Sequence, residues 1–387
     1  MTEIHTEHHP RGTADLVGHA AAEALLLDLW NGGRMPHAVM LCGRPGIGKA
    51  TLGYRLARFV LAQGAQPAGA GLFDDGPTTL ALPPDSPTFR RVASGGHVDL
   101  MVLERPWDEK RNRRRGVIPM EMAQKAVQFL RLTSGEGGWR VVLVDAVDDL
   151  NASSANALLK VLEEPPPRVL LILIANAVGR VLPTIRSRCR QLALAPLSDE
   201  QTRAVVAAHA PDAAADECSL AVRLADGSPG QALALLDEGA AALYVDFIEL
   251  MGAMPDYDVG RAIAFAEAAG ASGDEAPFAA FTGLFAGWIG RLVRGAATGE
   301  AAPPLAREGE VNARLAGGSA LDPWFEVWDK ARAWFAETNA LNLDRKQAVL
   351  AVIDAAEAAQ QVTQGITGRA DADRWSTRWP QSRVADT

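Results

Sequence analysis

Cysteine is scarce in this chain, with three among 387 residues. Cys42, Cys189 and Cys218 have no framework spacing, which excludes a disulfide-stapled scaffold and fits a reducing cytoplasm. No uninterrupted apolar run approaches the roughly 18 residues needed to cross a bilayer. Met1–Pro10 lacks a basic region followed by an apolar stretch, so no secretory signal is expected. Positive charge is also in deficit: 38 Lys and Arg face 47 Asp and Glu, a net charge of −9. That balance argues against a protein that grips nucleic acid tightly alone, because phosphate binding needs a basic surface. Partner proteins are the better expectation.

What is present is an ordinary globular composition, 48% hydrophobic and 22% charged, in a chain long enough for two or three domains. Gly43-Arg44-Pro45-Gly46-Ile47-Gly48-Lys49 has the form of a phosphate-cradling loop. In such a loop, glycines let backbone N–H groups point at phosphates, beside a helix N-terminus that favours anions. Lys49 would reach the β- and γ-phosphates. Ala50, however, stands where the pattern wants a Ser or Thr hydroxyl for Mg²⁺. Thr51 is a poor substitute, since one helical step turns a side chain by about 100°. About a hundred residues on, the apolar run Arg140–Val144 ends in the metal-type carboxylate Asp145. Ala146 follows, where a water-activating Glu would be expected in an ATPase of this kind. Losing both groups suggests an ATPase fold kept for another task. Bound nucleotide stays open; hydrolysis is not expected.

Patterning places this loop in an alternating β-α series. Strands are expected at Ala38–Cys42, Asp99–Leu103, Arg140–Val144 and Val169–Ile174. Helices are expected over Gly48–Ala62, with Leu52, Leu56 and Phe59 on one face, and over Pro119–Leu132, with Met122, Ala126 and Phe129 aligned. A third spans Ala155–Leu162. The stretch Ala62–Gly96, rich in Gly, Pro and Ala, is expected to be irregular. The alternation implies a mostly parallel sheet with helices on both faces. After Pro196 the chain turns helical, with Ser198 suited to cap the first helix. Phe278, Phe281, Phe285, Trp288 and Leu292 share a helical face, and so do Trp324, Trp328, Ala331 and Phe335. Those faces fit a bundle core, or an aromatic platform for bases. Residues after about Val362 read as a polar tail.

Asn156-Ala157-Leu158-Leu159-Lys160-Val161-Leu162-Glu163-Glu164-Pro165-Pro166 is by itself only an amphipathic helix stopped by prolines. Together with Ser187-Arg188-Cys189 it resembles the AAA+ subunits of DNA polymerase clamp loaders, whose hallmarks these two motifs are. Leu16-Val17-Gly18-His19, Arg34-Met35-Pro36-His37-Ala38 and Gly227-Ser228-Pro229-Gly230-Gln231-Ala232-Leu233 extend the likeness over roughly residues 16–236. Motor members of that family keep the hydroxyl, the catalytic Glu and an Arg in a Gly-Ser-x-Arg helix. Here those positions read Ala50, Ala146 and Gly230, so the likeness is to the stator-like delta-prime group.

The resemblance implies three domains: an AAA+ α/β domain over 1–195, a small helical lid over 196–240, and a helical collar over 241–387. It implies no intrinsic catalysis but membership of the DNA-directed DNA polymerase III holoenzyme. ATP and Mg²⁺ would belong to neighbouring gamma/tau motor subunits, with a delta subunit, the sliding clamp and primed DNA as further partners in the cytoplasm. Within the site, Gly43, Gly46, Gly48, Lys49, Thr51 and Asp145 are vestigial. Arg188, flanked by Ser187 and Cys189, would act in trans as an arginine finger; its bland alternative is a surface ion pair. Relatives often carry a four-cysteine zinc module before the second strand. The equivalent stretch here, Ala62–His97, has no cysteine, so no zinc is expected. His97, and His5, His8 and His9, are expected to be exposed loop residues. Lys110, Arg111, Arg113, Arg114 and Arg115 form a basic run that is either a solvated loop or a contact to primer–template phosphates or an acidic partner. A motor ATPase of the same fold and a free-standing DNA-binding protein remain the alternatives.

Overall fold

The computed structural model describes residues 9–64, 76–108, 113–237, 239–271, 276–299, 303–317 and 321–365. The chain divides into two compact units, residues 1–209 with 226–231, and residues 210–225 with 232–387.

The first unit is built from α1 (Ala20–Asn31), β1 (Ala38–Cys42), α2 (Lys49–Gly64), α3 (Pro87–Ala93), β2 (Leu100–Glu104), β3 (Trp107–Asp108), β4 (Arg113–Arg114), α4 (Met120–Arg131), β5 (Arg140–Asp145), α5 (Ala152–Glu163), β6 (Val169–Ala175), α6 (Pro183–Arg186), β7 (Arg190–Ala193) and α7 (Asp199–His209). Five strands form one sheet in the order β2-β5-β6-β1-β7, and every neighbouring pair is parallel. β1 and β6 are buried throughout. They read as continuous apolar runs because helices cover both faces.

Alternation assigns each side chain to one of two cores. Val39, Leu41, Leu143 and Ile172 pack with Leu52, Leu56 and Phe59 of α2. Met40, Val142, Val144 and Leu171 pack with Ala126 and Leu130 of α4 and Leu158 of α5. A one-residue slip of any strand would exchange these sets, so register is strongly fixed. β1 sits between β6 and β7, and its C-terminal end delivers the glycine loop. Crevices outside the strand C-termini are where open α/β sheets bind ligands.

Several local expectations need correction. α3 lies inside the stretch expected to be irregular: Ser86 Oγ accepts from Phe89 N at 3.2 Å and Pro87 opens the helix. The buried face of α4 is Ala123, Ala126 and Leu130, with Met122 and Phe129 only partly covered, and Pro119 caps the helix rather than entering it. Ser198 does cap α7, in a reciprocal pair with Gln201: Gln201 N donates to Ser198 Oγ at 3.2 Å and Ser198 N to Gln201 Oε1 at 3.1 Å.

The second unit is helical: α8 (Ala215–Ala225), the later part of α9 (Pro229–Asp237), α10 (Ala240–Ala253), α11 (Val259–Ala269), α12 (Ala276–Thr298), α13 (Ala306–Leu315), α14 (Asp322–Leu341) and α15 (Arg345–Thr363). Its core is aromatic. Phe247 meets Trp288 edge-on at 5.0 Å, and Trp288 meets Trp324 at 5.9 Å. The aromatic faces of α12 and α14 are therefore core, apart from Trp328, which lies half-exposed at the rim. α12 is long and apolar enough to cross a membrane by composition, yet Phe278, Phe281, Phe285 and Trp288 are buried within the unit. Glu308 is buried and fully engaged: Tyr244 donates to its Oε2 at 2.6 Å and Arg291 Nε to its Oε1 at 2.8 Å.

Candidate functional site: a closed phosphate loop and an exposed arginine

The glycine loop runs from the end of β1 into α2, whose first residue is Lys49. Lys49 is 3% exposed. Its Nζ donates to Gly43 O at 2.8 Å and to Arg44 O. Burial pushes its pKa down to about 8, against the pull of Asp145 and Asp148. Asp145 ends β5; burial raises its carboxyl pKa, aided by nearby Glu104 and opposed by Lys49. Asp148, three residues on, accepts from Asn176 N at 2.7 Å and Ala177 N at 3.0 Å. Ala146 is buried and Ala50 and Thr51 are partly covered. Neither alanine can offer an oxygen to a metal or a water.

The rest of the loop is bound by the same chain. His19 Nε2 lies 2.6 Å from Ile47 O; a carbonyl only accepts, so Nε2 carries the proton there. From 180 residues away in sequence, Asp226–Gln231 lies against the loop's other side. Arg44 Nη1 donates to Asp226 Oδ2 at 2.5 Å and to Asp226 O at 3.1 Å. Ser228 Oγ donates to Pro45 O at 2.8 Å, and Gly230 N to Gly46 O at 2.9 Å. The approach is close enough to dictate residue type: a Cβ at position 230 would lie 2.9 Å from Gly46 Cα. Gly230, noted in the sequence as a missing arginine, thus has its own packing reason. His19, Asp226 and Ser228 are the loop partners that local sequence reading could not assign.

Ser187-Arg188-Cys189 follows α6, a short helix opened by Pro183. Arg188 is exposed, and Cys189 packs partly into the core beneath α5. Arg188 Nη1 donates to Thr184 O at 2.9 Å and Nη2 lies 2.9 Å from Glu163 Oε1. Ser187 Oγ donates to Thr184 O at 3.2 Å. Glu163 ends α5, which Asn151 caps by accepting from Ser154 N at 2.8 Å.

The basic run is partly engaged at home. Arg114 Nη1 donates to Glu104 Oε2 at 2.9 Å, and Arg115 Nε lies 3.9 Å from Asp108 Oδ2. Lys110, Arg111 and the side chain of Arg113 lie outside the described residues. The histidine expectation is corrected. His97 is 4% exposed, its Nδ1 accepts from Asp99 N at 3.2 Å, and burial lowers its pKa. His9 is half-buried, edge-on to Tyr54 at 5.9 Å. His5 and His8 lie outside the described residues.

The first unit thus places a strand–glycine-loop–helix on a parallel five-stranded sheet, with an exposed Ser-Arg-Cys arginine further along the chain. A family model described as DNA polymerase III, delta subunit, matches residues 18–198. The delta-prime subunit of Pseudomonas aeruginosa DNA polymerase III is 34% identical over 225 residues, 57% of this chain and 63% of that one. Over these residues the chain is similar to the delta-prime subunits of DNA polymerase III. The tau subunit of the Salmonella typhimurium enzyme is 31% identical over 245 residues, covering 60% of this chain and 34% of its own. This chain thus spans under two thirds of the length of the curated relatives it matches. A gamma-subunit-related protein of Thermotoga maritima aligns with 87% of this chain and 99% of its own, at 14% identity and a TM-score of 0.39.

Proposed function

We propose that the chain is a non-hydrolysing, stator-like clamp-loader subunit of the delta-prime kind, supplying Arg188 in trans to the ATP site of a neighbouring motor subunit. The observation that carries this reading is the contrast within one module. Position 50 and position 146 hold methyl groups where metal and water need oxygens, while Arg188 stands exposed just after the short helix α6. This pattern favours a chain that assists another subunit's ATP site over one that uses ATP itself. A guanidinium brought to a transferring phosphate stabilises developing charge, an effect worth about 10³–10⁵ in rate where it has been measured in GTPases.

In this reading ATP and Mg²⁺ belong to gamma/tau-type motor neighbours, and this chain requires no cofactor and no zinc. Those motors, a delta subunit, the sliding clamp and primed DNA are the partners, in the cytoplasm at the replisome. The lid and collar roles assigned to residues 196–240 and 241–387 belong to the same proposal. The likeness to tau keeps one rival in view, a motor ATPase. Ala50 and Ala146 oppose it, since each removes an oxygen that such a motor uses.

The test is reconstitution of the loader with wild-type or Arg188→Ala chain. An exposed arginine contributes little stability, so folding and assembly should be unchanged. Clamp- and DNA-stimulated ATP turnover should fall in part, because one of several sites loses its finger. Arg188→Lys should rescue poorly, since an ammonium lacks the planar fork. Wild-type turnover from a normally assembled Arg188→Ala complex would sink the assignment.

A further inference from the structure

Arg188 does not stand free. Its two terminal nitrogens are held by two different segments of its own module: Nη1 by the carbonyl of Thr184 in α6, at 2.9 Å, and Nη2 by the carboxylate of Glu163 at the end of α5, also 2.9 Å. Both side chains are well exposed, Arg188 at 37% and Glu163 at 49%. An ion pair this open contributes only about 0–1 kcal/mol to stability. The carboxylate is also poorly placed for helix stability, because an acid in the last turn opposes the helix dipole. Folding therefore gives little reason for Glu163 to stand there.

Holding the guanidinium gives a better one. Arginine loses much rotamer freedom when it must be held at one point, so a side chain already oriented in its own subunit binds an incoming anion with less entropy loss. Two acceptors on different elements fix the guanidinium plane, where one would leave it free to swing. They also leave donors over. The group has five N–H bonds: Nη1 donates to Thr184 O and, at 3.4 Å, to Ser187 Oγ, while Nη2 is ion-paired with Glu163. Nε–H and an N–H of Nη2 remain for phosphate oxygens, the pair that a bidentate contact needs.

We infer that Glu163 is a positioning residue for Arg188, holding its guanidinium pre-oriented for the phosphate of a neighbouring subunit's nucleotide. The inference rests on the trans role of Arg188 proposed above. It makes Glu163 part of the finger without contact to nucleotide, so its loss slows turnover and leaves nucleotide affinity alone.

The experiment is a double-mutant cycle in the fully reconstituted loader, with motor chains, clamp, primed DNA and MgATP. Glu163→Ala should lower stimulated kcat by about 3- to 10-fold, the scale of losing one pre-ordered side chain, with KM for ATP and the melting temperature of the chain unchanged. Glu163→Gln should fall between, because an amide oxygen still accepts from Nη2 but carries no charge. In an Arg188→Ala background, Glu163→Ala should slow the complex no further, since the two residues act as one unit. Two results would overturn the inference: a slow Arg188→Ala complex beside a normal Glu163→Ala complex, or independent losses that multiply in the double mutant. A normal Arg188→Ala complex would instead defeat the underlying trans reading, so the two failures are told apart by the single mutants.

Discussion

At the scale of single residues, Gly230 has a packing reason to be glycine. Gly230 N donates to Gly46 O at 2.9 Å, and the two backbones nearly touch. Any side chain at 230 must push one of them. Because the atom met first is backbone, relief requires movement of the loop itself, and overpacking of this kind costs about 1–3 kcal/mol. Gly230→Ala should therefore lower the unfolding free energy of the chain by an amount in that range, read as a fall in its denaturant midpoint. Gly179→Ala is the control, since a Cβ there meets nothing within 4 Å, and surface changes of that sort stay within about 0.5 kcal/mol. Equal midpoints for the two variants would show that the Asp226–Gln231 segment does not press on the loop. Sequence reading found the alanines at 50 and 146, because those losses sit inside a local pattern. It could not find His19, Ser228 or Glu163 as partners, because their contacts close over distances that no short pattern spans. His97 failed for a related reason. A histidine beside Gly-Gly looks like loop surface, while the fold buries it with the carboxylate of Asp99 and the turn of Ser134–Glu136.

At the scale of elements, what could be read depended on how much of the element was buried. β1, β5 and β6 are covered on both faces, so each is an apolar run that stands out in the sequence. β7 is a four-residue edge strand, Arg-Gln-Leu-Ala, with only Leu192 buried, and its single inward side chain leaves no period to detect. β3 and β4 have two residues each. At α5 the apolar face placed the start at Ala155, three residues after the helix begins at Ala152, because its start is set by a polar cap that periodicity does not see. Asn151 is the cap, and its side chain accepts from both the backbone and the hydroxyl of Ser154, at 2.8 and 2.9 Å. Ser154 Oγ in turn donates to Ile118 O at 2.7 Å, which ties the cap to the chain entering α4. Asn151→Ala should destabilise the module by about 0.5–2 kcal/mol, read as a shift in equilibrium unfolding. Asn151→Asp should recover most of that loss, since aspartate caps equally well. No difference between Asn151→Ala and wild type would mean that the capping bonds contribute nothing net.

At the scale of the whole molecule, the question is whether this chain turns over nucleotide by itself. The requirements for hydrolysis are separable. Phosphates need a cradle, the metal needs an anchor, and the attacking water needs a base or an orienting acceptor. Only the cradle is retained in sequence, and in the structure its carbonyls are occupied by Lys49, Ser228, Gly230 and His19. Asp145 keeps its carboxyl group, whose pKa is raised by burial. Restoring one missing group would leave the other absent, so the defect should not be repaired by a single substitution. The purified chain should release phosphate from MgATP at background rate, and Ala50→Thr should leave that rate unchanged. The sensitive comparison is with Lys49→Ala, because any genuine turnover at this loop must depend on the one cation that could meet the β- and γ-phosphates. Steady-state phosphate release that Lys49→Ala abolishes would make the chain a motor. A rate indifferent to Lys49 would agree with the proposal that ATP is used by neighbouring subunits.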